Sequence, residues 1–234
     1  MPGVKGPYAS LTPGTSPDAI ELRGLRRDYG ERPALTGVDV SLRQGESLLV
    51  LGPNGSGKTT LLRILATLLR PSGGEARVFG AALPRDAWKV HGRIGLLGHD
   101  ALLYRDLSGR ENLRFHARLH GIGRDAAEAR IDALLAAVEM TRRGDDRVAE
   151  LSAGMRQRLA VCRCVLHEPE LLLLDEPDSN LDAEGRELVG RLIGRAPGRT
   201  RVLVSHDPDR HRGEADQVLE LDAGGSVVAA AVPA

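Results

Sequence analysis

The chain has 234 residues, 32 of them Lys or Arg and 32 Asp or Glu, a length that suits one α/β domain, or a core with an inserted subdomain, and is short for two independent folds. Balanced charge excludes a broad basic field that would hold nucleic acid or an anionic membrane by charge alone, so no nucleic-acid partner is expected. No apolar run approaches the roughly 20 residues that cross a bilayer, and residues 1–18 lack the basic start and apolar stretch of a signal peptide, which makes a soluble protein the expectation.

Residues 1–18, MPGVKGPYASLTPGTSPD, are rich in Pro, Gly and Ser and read as a disordered leader that cannot offset its own ordering entropy. Apolar segments at Ile20 to Leu25, Val38 to Leu42 and Ser47 to Leu51 predict strands between Gly and Pro punctuation. A helix is expected over Leu61 to Leu69, stopped at Pro71, followed by short strands at Glu75 to Phe79 and Ile94 to Leu97. From Gly109 to His167 the pattern is nearly all helical, with Leu113, Ala117, Leu134, Leu135 and Val138 at three-and-four spacing. Strands at Leu171 to Leu174, Val202 to Val204 and Gln217 to Leu221, with a helix over Glu184 to Arg195, restore the alternation that a parallel α/β core requires. Cys162 and Cys164 stand two apart in the helical pattern, so their side chains diverge and idle thiols are expected rather than a bridge.

The segment LLVLGPNGSGKTTLL places Gly52, Gly57, Lys58 and Thr59 at the spacing G-x-x-x-x-G-K-[ST], directly after a strand and before a helix. Here Gly52, Pro53, Asn54, Gly55, Ser56, Gly57 and Thr60 form a turn whose N–H groups and following helix N-terminus face the phosphates of ATP. Lys58 reaches the outer phosphates, and Thr59 gives its hydroxyl to Mg2+. In LLLLDEP, Asp175 and Glu176 end an apolar strand, where Asp175 suits magnesium and Glu176 suits orienting or deprotonating the attacking water. In LSAGMRQR, Ser152 opens a helix; alone it is an ordinary N-cap, and its place just before the Asp175 strand makes a phosphate contact the other reading.

In this order the motifs resemble those of ABC transporter nucleotide-binding subunits, from about Ile20 to Val228. The resemblance implies an α/β fold: a P-loop NTPase of ABC ATPase type, with a mixed or parallel sheet core, an antiparallel β subdomain and a helical subdomain of about residues 100–165 inserted within a domain of residues 19–234. It implies that Tyr29 stacks on adenine, that Ser152 and Gly154 of SerAlaGly face the nucleotide of a second copy, that Asp182 in SNLD sits in the dimer-contact loop, and that His206 contacts the γ-phosphate. Ala153 and Met155 depart from the family's signature. Two copies are expected to close head-to-tail on two nucleotides, at the cytoplasmic face of a membrane and beside an integral permease. Asp178 is an extra carboxylate near Glu176, either close enough to raise a pKa or a solvated turn residue.

Where the family has a glutamine that binds magnesium, this sequence has His99, for which contact through a bound water is expected, since magnesium prefers oxygen donors. Gly-His followed by LLY-x-DLS-x-x-ENL-x-F is similar to the ATP-binding subunits of haem exporters of cytochrome c maturation. Drug and polysaccharide exporters share ENL-x-F and remain the alternative, with soluble ABC ATPases of iron–sulfur assembly or DNA repair as a further class. His116 and His120 share a helix face, but no third ligand stands near them, so a polar or partly buried packing role is expected rather than a metal.

Overall fold

A computed structural model describes residues 18–205 and 211–231 of the chain. The leader expected over residues 1–18 lies outside the described residues except for Asp18, which opens the first strand. In chain order the elements begin with β1 (Asp18–Tyr29), β2 (Arg32–Arg43), β3 (Ser47–Leu51), α1 (Lys58–Leu65), β4 (Gly73–Val78), β5 (Ala81–Leu83) and β6 (Ile94–Leu97). Three helices follow, α2 (Gly109–Leu119), α3 (Arg124–Ala137) and α4 (Ala153–Val165). The chain then returns to the sheet through β7 (Leu171–Asp175), α5 (Ala183–Ile193), β8 (Thr200–Val204), β9 (Gln217–Leu221) and β10 (Val227–Ala231).

Two sheets result. One is antiparallel in the order β2-β1-β4-β5; the other runs β10-β9-β3-β8-β7-β6 and is parallel apart from β10. Its central strands are buried throughout because both faces are covered. Successive side chains alternate faces. Leu48, Val50, Leu171, Leu173, Val202 and Val204 pack toward α1 and the antiparallel sheet, whereas Leu49, Leu51, Leu172, Leu174 and Leu203 pack toward α4 and α5. Helices α2, α3 and α4 enclose a further core around Leu113, Ile131, Leu135 and Leu159. Parallel strands open on the same side, so β3, β6, β7 and β8 bring the residues after Leu51, Leu97, Asp175 and Val204 to one edge of the sheet.

Three regions differ from expectation. Helix α1 ends at Leu65, not Leu69: Thr67 takes φ 63, and the N–H groups of Leu68 and Leu69 both turn back to the Arg63 carbonyl, closing the last turn with a left-handed residue. Strands β1 and β2 run well beyond Leu25 and start well before Val38. Their register shifts break the strict alternation that marks a strand in sequence. The helical stretch after Gly109 is interrupted at residues 140–147, where Met140 N–H bonds Leu135 and Arg110 N–H bonds Gly144. Cys162 and Cys164 are free and buried, their thiols pushed up to about 12 and about 11 by desolvation.

Candidate functional site

The turn between β3 and α1 is built on backbone that only glycine reaches easily. Gly57 takes φ 91 as the N-cap of α1, and a Cβ there would collide with the Ala34 carbonyl. Gly52 takes φ 148, and a Cβ would meet the Leu221 carbonyl and the Ser56 hydroxyl. No side chain caps α1 and no acidic residue stands in its first turn, so its leading N–H groups and positive dipole end remain available to an anion.

Lys58 is 6 % exposed and folds back over the turn, its Nζ donating to the carbonyls of Gly52 at 2.7 Å and Pro53 at 2.8 Å. Burial pulls its pKa down, while the carboxylates of Glu176 and Asp175 pull the other way. Thr59 Oγ1 donates to Asp175 Oδ2 at 2.8 Å, joining the start of α1 to the end of β7. Glu176 takes φ 50 and its N–H donates to the Val204 carbonyl at 3.0 Å. That left-handed residue turns the chain out of β7. Tyr29, Ala34, the run Asn54 to Thr60, Asp175 and Glu176 line one cleft of about 330 Å³. Tyr29 is 46 % exposed at its rim, with the Arg27 guanidinium 4.8 Å from its ring centre. A hydroxyl beside two carboxylates is an oxygen-only donor set, which fits magnesium.

Other expected site residues stand elsewhere. Ser152 caps α4, accepting from Met155 N–H at 3.2 Å. Gly154 packs against the segment after β7, where a Cβ would come within 2.9 Å of the Asn180 carbonyl oxygen. Asp182 caps α5, accepting from Gly185 N–H at 2.8 Å, with Arg158 at 3.5 Å. Gln157 ties α4 to the same segment through the Pro177 carbonyl. Ser152 and Asp182 are exposed, Gly154 is half-buried and Gln157 is buried, and none of the four lines the phosphate cleft. His99 is exposed just beyond β6, the strand beside β7, and it too is outside that lining. His206 lies outside the described residues.

Asp178 lines a different cavity from the phosphate cleft, with Arg186, Arg201 and His211, its Oδ2 3.3 Å from His211 Nε2. Ala34 is a cleft residue that no sequence signal marks: its part is played by a backbone carbonyl against Gly57.

A family model described as ABC transporter matches residues 35–179, more than half of the chain. The chain belongs to the ABC transporter family. It is 42% identical to the "Daunorubicin resistance ATP-binding protein DrrA3" of Streptomyces coeruleorubidus, over 88% of this chain and 66% of that protein. It is 34% identical to the "Nod factor export ATP-binding protein I" of Cupriavidus pinatubonensis, over 95% and 69%. The chain therefore spans about two thirds of the length of these relatives. Among solved structures, an ATP-binding subunit of an ABC transporter superposes with TM-score 0.84 at 25% identity, over 92% of this chain and 90% of the other. A dimeric bacterial ABC transporter cassette gives 0.82 at 26%, over 92% and 99%. The same cassette is also known as a dimer in a post-hydrolysis state with ADP and Pi, at TM-score 0.81 and 25% identity, over 92% and 99%.

The fold is that of an ABC ATPase cassette, and the chain is an ABC-type ATPase that binds ATP. The narrower likeness to haem exporters is not carried by these comparisons, whose relatives are named for drug resistance and Nod factor export. His99, on which that narrowing leaned, is an exposed side chain outside the cleft.

Proposed function

We propose that the chain is the ATP-hydrolysing subunit of a drug exporter or one of similar cargo, working as a head-to-tail pair of identical chains docked on an integral membrane permease. The observation that carries the dimer is the separation of the two faces. Lys58, Thr59, Asp175 and Glu176 share one cleft, while Ser152 and Gly154 open α4 outside it. A surface with two different, complementary halves suits a reciprocal pair in which each copy completes the other's site. The choice of drug export over haem export rests on the names of the relatives, which are given for daunorubicin resistance and Nod factor export.

In this reading the turn at residues 52–60 and the N-terminus of α1 hold the phosphates, and Lys58 leaves the Gly52 and Pro53 carbonyls for the outer phosphate. Thr59 and Asp175 hold magnesium, which when bound supplies positive charge to the transferring phosphoryl group. Glu176 accepts the proton of the attacking water or orients it. Tyr29 covers the base, Asp182 belongs to the contact between copies, and His206 is assigned the γ-phosphate contact. No described helix is long and apolar enough to cross a membrane. In this reading the permease provides the crossing, and the subunit sits peripherally at its cytoplasmic face.

Tyr29→Ala is expected to weaken ATP binding by about 5- to 150-fold, from the loss of about 1–3 kcal/mol of stacking, whereas Tyr29→Phe keeps most of it; fluorescence titration with a labelled ATP analogue reads the difference. The export reading is tested by purifying the tagged protein from native membranes in mild detergent. A multi-span permease is expected, and in the resulting complex daunorubicin should raise ATP turnover more than haem does. Recovery of a soluble scaffold instead, or stimulation by haem alone, overturns it.

A further inference from the structure

Tyr29 closes β1, and the strand sets Arg27 behind it. Strand β2 carries one extra residue, Ala34, between the pairs Arg27 with Leu35 and Asp28 with Pro33, while β1 is unbroken there. Arg27 and Tyr29, two residues apart, therefore project to the same face of the strand. The carbon at the centre of the Arg27 guanidinium lies 4.8 Å from the centre of the Tyr29 ring. Tyr29 lines the phosphate cleft and Arg27 does not. The guanidinium thus backs one face of the ring and leaves the other to the cleft.

Arg27 is itself held in place. Its Nη1 donates to the Arg70 carbonyl at 3.1 Å, in the segment that leads away from α1. The same segment grips β1 on either side of Arg27: Ser72 N–H donates to the Arg26 carbonyl at 2.8 Å, and Asp28 N–H donates to Ser72 Oγ at 3.0 Å. Arg27 is half-buried, and its Nε is buried without a hydrogen-bond partner. A partly desolvated cation with an unpaired N–H gains from the electron-rich face of a ring, so the contact with Tyr29 offsets part of the cost of burying it.

We propose that Arg27 is a positioning residue for ATP: its guanidinium fixes the Tyr29 ring as a platform on which the base stacks, and it touches no part of the nucleotide itself. The proposal rests on the reading in which Tyr29 covers the base. Two effects follow from the geometry. A side chain left half exposed at a cleft rim loses rotamer freedom when a ligand orders it, and a ring already pinned from behind has less to lose. A cation behind the ring also draws down the negative potential of the face turned to the cleft, which eases the approach of a second π system. Both effects act on affinity through the base. Neither reaches the phosphates, which the same reading assigns to the turn at residues 52–60 and the start of α1.

The test compares ATP with inorganic tripolyphosphate, which has the phosphates and no base, each measured with magnesium by displacement of a labelled ATP analogue from the full chain. In Arg27→Ala, ATP is expected to bind about 3- to 10-fold more weakly, with tripolyphosphate unchanged. In steady-state turnover KM should rise by the same factor while kcat is kept. Arg27→Lys, which retains a cation near the ring, should recover part of the loss, and Arg27→Met, of similar reach but uncharged, should not. In a Tyr29→Ala background the Arg27 substitutions should have no further effect on ATP. Equal weakening of both ligands, full recovery in Arg27→Met, or an undiminished Arg27 effect without the Tyr29 ring each overturns the proposal. Thermal melts accompany every variant; where Arg27→Ala lowers the melt, the Lys and Met variants decide. If Tyr29→Ala weakens ATP binding and Arg27→Ala does not, the positioning role alone falls. If Tyr29→Ala leaves ATP binding unchanged, the base-stacking reading falls and the proposal with it.

Discussion

Replacing Lys58 by Ala is expected to lower ATP turnover on the order of 10³-fold, the scale reached when a single preorganised donor is removed from a developing charge. Its ammonium is held 2.7 Å and 2.8 Å from two backbone carbonyls of the turn that it would serve. It is also buried enough for desolvation to lower its pKa against the pull of Glu176 and Asp175. Such a charge is short of compensation, and an incoming phosphate supplies it. Removing the side chain takes away the phosphate ligand and leaves the Gly52 and Pro53 carbonyls without their donor, so both affinity and rate should fall. Phosphate release assays read the rate, and a thermal melt checks that the fold survives. Lys58→Ala with near-normal turnover and an unchanged melt would remove Lys58 from the site. Lys58→Arg is expected to recover little, because the planar guanidinium does not fit where the compact ammonium bridges two carbonyls.

How much of this was legible in the sequence depends on whether the chemistry resides in side chains at fixed spacing or in backbone and tertiary contact. The turn from Gly52 to Thr60 could be read because two glycines, a lysine and a hydroxyl fall at set intervals between an apolar run and a helix, and the positive φ values of Gly52 and Gly57 supply the physical reason. Asp175 and Glu176 were legible as the carboxylates ending an apolar strand, and Thr59 Oγ1 donates to Asp175 Oδ2 across the cleft. The strands β3, β7 and β8 were equally plain, since burial on both faces leaves uninterrupted apolar runs. The end of α1 was not, because Leu68 and Leu69 extend the apolar periodicity past the true stop at a left-handed Thr67. Leu68 lines instead a cleft between the end of α1 and the helices α2 and α4. The short strand β5 and the terminal β10 carry little sequence signal, being made largely of Ala.

The histidines illustrate the same limit from the other side. The spacing of His116 and His120 placed them on one face of a helix, and a partly buried packing role fits His116, which is half-buried, whereas His120 is exposed and stacks on the His167 ring. Spacing could not reveal that His167, nearly fifty residues away, joins them, nor that Arg163 lies among them. That cluster exists only because α2 and α4 pack against each other around Leu113 and Leu159.

Glu176→Gln is expected to slow hydrolysis by about 10²- to 10⁴-fold, the range for loss of a positioned general base, while leaving ATP bound. The two outcomes separate because of where the residue sits. Its backbone, at φ 50 with the N–H fixed to the Val204 carbonyl, holds the turn after β7 regardless of the side chain's charge, and Gln matches Glu in size. In the proposed reading the phosphate contacts come from other residues, Lys58 and the uncapped start of α1, so affinity should persist. Removing one negative charge from a cleft that must also take the phosphates lowers repulsion there, which favours the closed state further. If closure joins the cleft of one copy to the Ser152 face of another, ATP that cannot be hydrolysed should hold two copies together. Size exclusion with saturating ATP and magnesium should then give a dimer for Glu176→Gln and a monomer for the added variant Ser152→Arg in the same background, whose long cation obstructs that face. A Glu176→Gln protein that stays monomeric under these conditions would count against the two-faced dimer, and one that hydrolyses ATP at the normal rate would move the water-activating role to another residue.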